Sequence, residues 1–336
     1  HHIGLLKAKL ARLREKKEGT GGKKGQGYSV RKTGDSTVVL VGFPSVGKST
    51  ILNRITNAES KIGSYAFTTL TVVPGVMEYR HAKIQVLDVP GLIKGAASGT
   101  GRGREILAVL RNADLIIFVT DPYSMQQVDV LKKELYEAGF RIDEEPPHVK
   151  VKKKERGGAD IAATVKLTKI DKKTIEGILK EFALNNVSIV VRTDITPDQL
   201  IDVIQGNRTY IRSMVIINKA DTADRKQLGI VKKMYPNAIL TSAQRDEPEK
   251  LKTAIFDNLK LIRIYMKEIG KKAEMEVPLI VRENTTIGDI CARLHKDFLK
   301  RFKNAKGWGH SAKFPGQVLH ESHVLKDKDI LQIKLR

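Results

Sequence analysis

Two glycines, a lysine and a serine stand at fixed spacing in the stretch LVGFPSVGKSTIL, from Leu40 to Leu52. The pattern is Gly42, four residues, then Gly47, Lys48 and Ser49, between a valine-rich run that predicts a buried strand and a run with helical spacing. This order favours phosphate binding, because successive backbone N–H groups and the helix dipole face the anion. Lys48 would contact the β- and γ-phosphate oxygens, and the Ser49 hydroxyl would bind Mg²⁺. The other loop residues expected at the ligand are Pro44, Ser45, Val46 and Thr50.

Two further stretches could complete a site for a triphosphate. LDVPG ends an apolar strand with Asp88, which could hold Mg²⁺, and continues to Gly91, whose N–H could sense the γ-phosphate. The stretch YAFTTLTVVPG offers Thr69, which could close on the metal only while triphosphate is bound. We therefore expect Lys48, Thr69 and Gly91 to be catalytic and Ser49, Thr69 and Asp88 to hold the metal. The predicted switch residues are Phe67, Thr68, Leu92, Gly95 and Arg102.

The motif NKAD, from Asn218 to Asp221, points to the base of the nucleotide. Asp221 can accept hydrogen bonds from N1–H and the 2-amino group of guanine, a donor pair that adenine lacks. Lys219 would lie along the base, and Asn218 would tie loops together. In the later stretch LTSAQ, the backbone of Ser242 and Ala243 could meet guanine O6. The sequence therefore predicts GTP rather than ATP.

Composition and charge suggest a polyanionic partner. The chain has 336 residues and a formal net charge of +22, with 60 Lys and Arg against 38 Asp and Glu. Such an excess favours nucleic acid ahead of membrane, although a lysine-rich surface habit is the alternative. The candidate RNA or ribosome contacts are Lys150, Lys152, Lys153, Lys154 and Arg156, and in the tail Lys300, Arg301 and Lys303. The single cysteine, Cys291, excludes an internal disulfide and fits a reducing compartment.

The pattern of apolar runs divides the chain into five segments. Residues 1–35 predict a basic helical region and a glycine-rich linker, and we expect this region to be truncated. Residues 36–147 and 207–272 alternate strands and helices, as in a mostly parallel sheet between helices. Residues 148–206 interrupt that alternation and predict an inserted α+β module. Residues 273–336 predict a compact C-terminal domain that begins with a strand from Val277 to Val281 and has a helix capped near Thr286.

Taken together, GFPSVGKST, DVPG, NKAD and TSA resemble the translation-factor-related class of P-loop GTPases. HIGLLKAKLARLR, FTTLTVVPGV, DVPGLIKGAASGTGRG and VKKKERGG resemble more closely the developmentally regulated GTP-binding (DRG) family, an Obg-like branch. The resemblance covers essentially the whole chain. It implies an α/β P-loop GTPase domain, an insert similar to the second domain of a small-subunit ribosomal protein, and a C-terminal β-grasp (TGS) domain. It also implies a cytoplasmic GTPase that works with ribosomes or RNA, often with a small stabilising partner protein, and neither a membrane nor a DNA partner is expected.

The sequence does not contain the residue that orients the attacking water in Ras-type enzymes. Ras-type enzymes orient the attacking water with a glutamine after the D-x-x-G motif, and Leu92 stands at that position here. The water could be handled by main-chain groups of the glycine-rich stretch, by a monovalent cation or by a partner. K⁺ is one such cation, but some related GTPases that use it have an asparagine in the phosphate loop where this chain has Ser45, and this difference argues against K⁺ activation. Arg102 and Arg104 could stabilise charge or be solvated switch residues. We expect slow intrinsic turnover.

The sequence is compatible with two functions. The chain is either a GTP-hydrolysing switch that acts in translation, or a mainly structural RNA- or ribosome-binding protein for which GTP is a stabilising ligand. A Lys48 variant would discriminate between them. Trp308 could stack a base, although a tryptophan beside glycines is more often a packing anchor.

Overall fold

A computed structural model describes residues 34–56, 73–89 and 103–336. In chain order its strands are β1 (Ser36–Val41), β2 (Val73–Tyr79), β3 (Ala82–Asp88), β4 (Leu115–Thr120), β5 (Phe140–Ile142), β6 (Val149–Lys153), β7 (Ala159–Ala163), β8 (Val187–Val191), β9 (Thr209–Ile217), β10 (Ile239–Leu240), β11 (Leu261–Met266), β12 (Leu279–Arg282), β13 (Phe302–Trp308), β14 (Gln317–Leu319) and β15 (Asp329–Leu335). The helices are α1 (Lys48–Ile55), α2 (Gly103–Arg111), α3 (Gln126–Glu137), α4 (Lys172–Glu181), α5 (Pro197–Gln205), α6 (Arg225–Met234), α7 (Glu249–Leu259), α8 (Ile287–Leu294) and α9 (Phe298–Arg301). None of these helices is long and apolar enough to cross a bilayer.

The central sheet has the strand order β10-β9-β4-β1-β3-β2, and β5 pairs with the first part of β9. Every pair is parallel except β2 with β3. All six residues of β1 and of β4 are buried, because helices cover both faces of the sheet. Helices α2 and α3 pack on one face, and α1 and α7 pack on the other. This arrangement confirms the predicted α/β class.

The inserted domain lies between β5 and β9 in the chain. Its sheet has the order β6-β8-β7, with β6 antiparallel and β7 parallel to β8. Helices α4 and α5 cover one face with their apolar residues. Helix α5 begins with a capping box, in which Thr196 and Gln199 bond each other's backbone N–H groups, and Pro197 occupies its first position. The other face of this small sheet carries Lys150 and Lys152, both exposed.

A buried ion cluster joins the inserted domain to the central sheet. Arg141 on β5 donates two hydrogen bonds to the Asp202 carboxylate of α5, at 2.6 and 2.9 Å. Arg208 donates to the same carboxylate at 2.6 Å. The side chains of Arg141 and Asp202 are 5% and 3% exposed, so the pair is removed from water. The Arg141 guanidinium also lies 3.9 Å from the ring centroid of Tyr136.

The C-terminal domain has a sheet of order β12-β11-β15-β13-β14, with α8 in its core. Strand β11 follows α7 after one residue, Lys260, and pairs in parallel with β15. The boundary predicted at residue 273 was therefore placed too late, and the predicted first strand, Val277–Val281, corresponds to β12. The error has a physical reason: the partners of β11 are β12 and the distant β15, so no local signal in the apolar run LIRIYM assigns it to this domain.

The C-terminal domain also packs directly on the central sheet domain. Leu261 and Ile280 belong to the hydrophobic cluster that α1 and α7 form with the sheet. Arg282 pairs with the Asp114 carboxylate, which also accepts a hydrogen bond from the Thr37 N–H at 2.8 Å. These contacts hold the two domains together at the start of β1.

We predict that the Asp202→Asn substitution lowers the free energy of unfolding by about 3 to 5 kcal/mol, because it leaves buried guanidinium groups without a counter-charge. The matched control is Asp160→Asn in the same domain, where the Lys154–Asp160 pair is at the surface and Asp160 is 67% exposed. That change should cost less than about 1 kcal/mol. Urea unfolding followed by circular dichroism measures both values. Equal losses in the two variants would show that the buried cluster does not stabilise the joint.

Candidate nucleotide-binding site

The loop between β1 and α1 has a backbone path that requires its two glycines. A Cβ on Gly42 would lie 2.3 Å from the Val119 carbonyl oxygen. Gly47 has a φ of +92°, and a Cβ there would lie 2.2 Å from Asn218 Nδ2. Both contacts are too short for any other residue to fit unless neighbouring groups move. The loop therefore lies tightly against β4 and the end of β9, and α1 begins directly at Lys48.

Lys48 directs its charge over this loop. Its Nζ donates hydrogen bonds to the carbonyl oxygens of Gly42 at 3.0 Å and Phe43 at 3.1 Å. The residue is 9% exposed. Burial lowers the pKa of Lys48, and the nearby Asp88 carboxylate acts in the opposite direction. A partly buried ammonium beside a helix N-terminus can exchange such carbonyl contacts for phosphate oxygens.

Ser49 and Asp88 form an oxygen pair at the end of β3. The Ser49 hydroxyl donates to Asp88 Oδ2 at 2.6 Å. Asp88 is 7% exposed, and its other oxygen, Oδ1, is buried without a hydrogen-bond partner. A buried carboxylate oxygen left unsatisfied is costly, and a hard divalent cation prefers this kind of ligand. The pair therefore fits Mg²⁺.

Within the described ranges, no group of three or more His, Cys, Asp or Glu is placed to hold a metal. Ser49 and Asp88 supply only part of a coordination shell. Mg²⁺ usually binds through one or two carboxylates together with substrate phosphates and water, and such a partial set suits that mode.

Asn218 joins three segments at the end of β9. Its Nδ2 donates to the Val46 carbonyl at 3.0 Å, and its Oδ1 accepts from the Ala243 N–H at 2.9 Å. Its own N–H bonds to the Thr120 carbonyl at 2.8 Å. Asn218 is 3% exposed, so the Val46 carbonyl and the Ala243 N–H depend on its side-chain amide for satisfaction. Next to it, Lys219 donates to the Ser45 carbonyl at 2.7 Å.

Asp221 lies in the short 3₁₀ turn Ala220–Thr222, which follows this strand. A hydrogen bond from the Ser242 side chain holds the pKa of Asp221 below its usual range, and the charge of Arg245 acts in the same direction. Arg245 Nε lies 3.3 Å from Asp221 Oδ2. Asp221 is therefore an ionised acceptor beside Ser242 and Ala243, which suits a pair of N–H donors on a ligand.

Sequence reasoning missed Arg245 and Asp246. Asp246 Oδ2 accepts hydrogen bonds from the Ser242 N–H at 2.8 Å and the Thr241 hydroxyl at 3.0 Å, and so shapes the loop after β10. An aspartate a few residues after a turn is a usual source of such local bonds, and the stretch TSAQRD contains that signal.

Most of the predicted site residues meet at one edge of the central sheet. They are Gly42, Pro44, Ser45, Val46, Gly47, Lys48, Ser49, Thr50, Asp88, Asn218, Lys219, Asp221, Ser242 and Ala243. Phe67, Thr68, Thr69, Gly91, Leu92, Gly95 and Arg102 lie outside the described residues. The basic candidates are elsewhere: Lys150, Lys152, Lys153, Lys154 and Arg156 in the inserted domain, and Lys300, Arg301 and Lys303 in the C-terminal domain. Lys154 pairs with Asp160, and Arg301 donates to the Arg336 carbonyl at 3.2 Å.

We predict that Asn218→Ala lowers the free energy of unfolding by about 2 to 4 kcal/mol, since it leaves a buried carbonyl and a buried N–H without partners. GTP affinity should fall as well, because the loop between β1 and α1 loses its tie to the loop after β10. The control Asn258→Ala removes an exposed amide on α7 and should change stability by less than about 0.5 kcal/mol. Urea unfolding and nucleotide titration test this, and a wild-type stability for Asn218→Ala would contradict it.

Family models match the chain in three consecutive parts. Residues 37–154 match a family described as 50S ribosome-binding GTPase, and residues 156–261 match the C-terminal region of that same domain. Residues 262–335 match the TGS domain, which agrees with the assignment of β11 to the C-terminal sheet. The predicted GTPase and TGS domains are confirmed.

Whole-chain relatives agree with these matches. A GTP-binding protein of Methanocaldococcus jannaschii is 51% identical over 341 residues, covering 100% of this chain and 87% of the relative. Developmentally-regulated GTP-binding protein 1 of Xenopus laevis is 42% identical over 339 residues, covering 99% of this chain and 92% of the relative. Among solved structures, the Schizosaccharomyces pombe YchF GTPase is 16% identical with a TM-score of 0.49, over 90% of this chain and 99% of that one.

The phosphate loop, the Asn218 amide and the Asp221 acceptor therefore lie in a chain of which at least 99% aligns with these GTP-binding relatives. The chain is a GTP-binding, GTP-hydrolysing member of the developmentally regulated GTP-binding protein family, with a C-terminal TGS domain.

Proposed function

We propose that this chain is a cytoplasmic, Mg²⁺-dependent switch that acts in translation, and that its nucleotide state controls its binding to ribosomes or RNA. The observation that carries the proposal is the course of β9. This strand begins at Thr209, where the chain leaves the inserted domain, and ends at Ile217, directly before Asn218. One strand therefore connects the predicted guanine site with the domain that carries the basic cluster of residues 150–156. The matching family is described as a 50S ribosome-binding GTPase, which supports the same proposal.

Ser49 and Asp88 would hold the metal, together with Thr69, which lies between them in the sequence. When bound, Mg²⁺ neutralises charge on the phosphate oxygens during phosphoryl transfer. Lys48 would bind the same phosphates in place of the Gly42 and Phe43 carbonyls that its Nζ now contacts. Ser45 stands at the position of the asparagine of K⁺-using relatives, and its side chain is exposed with a φ of +65°. Its hydroxyl is a weaker cation ligand than an amide oxygen, so K⁺ is the secondary part of the cofactor proposal.

The open face of the inserted sheet supports the contact with RNA. Lys150 and Lys152 lie opposite Val190 and Ser188 on the face that α4 and α5 do not cover. Lys153 and Arg156 extend the same basic end of the domain, and both are exposed. Lysines on an uncovered face bind phosphates without reading sequence, so the contact should depend strongly on salt.

We predict that more of the chain co-sediments with ribosomes when it carries a non-hydrolysable GTP analogue than when it carries GDP, by several fold. Binding in both states should fall steeply between about 50 and 200 mM salt. Lys48→Ala should abolish the difference between the nucleotides, because the phosphates lose their lysine. The control Lys83→Ala, an exposed lysine on β3, should behave as wild type.

This experiment also tests the alternative function. If wild-type binding to ribosomes is equal in the analogue, GDP and nucleotide-free states, the switch is disproved and a structural RNA- or ribosome-binding role remains. If the wild type does not sediment with ribosomes at low salt, both readings are disproved.

We predict that Asp221→Asn weakens GTP binding by at least about 10-fold, because asparagine has one acceptor oxygen where the carboxylate has two, and its NH₂ group would face a guanine N–H donor. The same variant should bind xanthosine triphosphate better than wild type does, since the asparagine NH₂ can donate to the xanthine 2-oxygen. The control is Asp257→Asn, at a surface pair with Arg80. Calorimetry with both nucleotides measures the preference. Unchanged preference would remove Asp221 from the base site.

A further inference from the structure

The C-terminal sheet presents a face that the core of its own domain does not use. Alternate strand residues such as Ile264, Leu331 and Ala305 point into the core. The residues between them form rows on the opposite face, as the strand pairing shows: Ile330 and Trp308, then Gln332, Lys306 and Val318, then Lys334 and Asn304. Tyr265 pairs with Ile330 on the same face, but it is 7% exposed and so does not contribute to the accessible surface. We call these rows, together with Lys267, the platform face.

Trp308 is the only tryptophan of the chain, and its surroundings are not those of a core anchor. It is half-buried and belongs to none of the four hydrophobic clusters formed by the described residues. The backbone of Gly316 lies against the indole, because a Cβ built on this glycine would be 3.5 Å from Trp308 Nε1. Lys267 Nζ lies 4.6 Å from the ring centroid. The indole is thus supported by backbone and has a movable cation over its ring.

The charge of the platform face has one sign. Lys267, Lys306 and Lys334 lie on it, and no strand position of the face, all of which the structure describes, is Asp or Glu. The nearest strand carboxylate in sequence, Asp329, is buried on the core side and accepts hydrogen bonds from the N–H groups of Ser311 and Lys326. An anionic ligand therefore meets no opposing carboxylate from these strands.

The exposed apolar part of the platform face indicates that the ligand has apolar or aromatic groups as well as negative charge. Val318 is 59% exposed and lies beside Lys306 on the edge strand β14. Trp308 is in the neighbouring row and offers a flat aromatic surface. A flat ring among lysines suits a ligand that has both phosphates and aromatic rings, whereas an acidic peptide would use the lysines alone.

We infer that the platform face binds single-stranded RNA, with an unpaired base stacked on Trp308 and phosphates beside Lys306 and Lys334. Lys267 leaves the ring as the base arrives and becomes a further phosphate contact. The RNA must be single-stranded, because in a duplex both faces of each base are covered by the neighbouring bases. This inference rests on the proposed function, and it adds the form of the RNA and the place where it binds.

Because Trp308 is the only tryptophan of the chain, tryptophan emission reports directly on the surroundings of its ring. The full chain, loaded with GTP analogue, is titrated with a labelled 12-nucleotide single strand of mixed sequence while tryptophan emission and RNA anisotropy are recorded together. Three matched probes follow: the same strand in a duplex, an abasic strand with the same phosphates, and polyglutamate. We expect the single strand to quench emission at saturation, and the duplex, the abasic strand and polyglutamate to leave it nearly unchanged.

Variants separate stacking from charge. Trp308→Leu should weaken single-strand binding by roughly 5- to 100-fold, whereas Trp308→Phe, which keeps an aromatic ring, should retain most of the affinity. Lys306→Ala should weaken binding of every strand alike and reduce the salt slope by about 1. Lys83→Ala is the control for loss of a lysine. The Phe variant and circular dichroism show that a loss in the Leu variant is not a folding defect.

The outcomes distinguish this inference from the proposed function. RNA that raises anisotropy without quenching tryptophan, together with normal binding by Trp308→Leu, would overturn the inference and leave RNA binding intact. Absence of any anisotropy change would overturn the RNA contact of the proposed function as well. Equal quenching by polyglutamate would overturn the RNA assignment in favour of an acidic protein.

Discussion

The nucleotide site depends on one buried amide, that of Asn218. Its two ends satisfy a carbonyl of the phosphate loop and an N–H of the loop after β10, at 3.0 and 2.9 Å. These segments are far apart in sequence and have no ladder hydrogen bond between them. A buried amide that both donates and accepts fixes their separation more strictly than apolar packing can, because a shift of either loop leaves a polar group unsatisfied. Gly47 is part of the same constraint, since a Cβ there would occupy the place of this amide.

The sequence predicts the parts of the molecule that are encoded locally. The phosphate loop, the helix cap at Thr286 and the buried runs of β1 and β4 are all signalled by neighbouring residues, and the structure contains each of them. The catalytic role of Thr69 and Gly91 stays a prediction. What the sequence does not disclose is pairing over distance. Arg141 and Asp202 are separated by 61 positions, and no residue near either of them in the sequence indicates that the two side chains pair.

The same limit explains the misplaced domain boundary. Strand β11 has apolar residues on both faces, because Ile262 and Ile264 enter the C-terminal core while Leu261 packs with the central sheet domain. Arg263 is the one charged residue of the strand, so the alternation that marks a half-covered strand is too short to identify it. Its place is set by a parallel partner near the end of the chain. The Arg245–Asp221 pair was missed for a related reason, since its partners come from two loops that approach only after the sheet has formed.

The packing of β2 provides a continuous path from the predicted switch segment to the C-terminal domain. Strand β2 begins at Val73, shortly after Thr69, and ends at Tyr79. The Tyr79 hydroxyl lies 2.7 Å from Thr253 Oγ1, and its ring meets Phe256 edge-on with centroids 5.8 Å apart. Both partners are on α7.

Helix α7 passes into β11 through Lys260 alone, which has a φ of +50°. A connection of one residue leaves no room for a hinge with free rotation, so the C-terminal sheet keeps a fixed direction relative to α7. A displacement of β2 that moves α7 would therefore turn the platform face as a rigid body, whereas a flexible linker would absorb it. Because no flexible linker separates α7 from β11, a small displacement beside the nucleotide can change the position of Trp308.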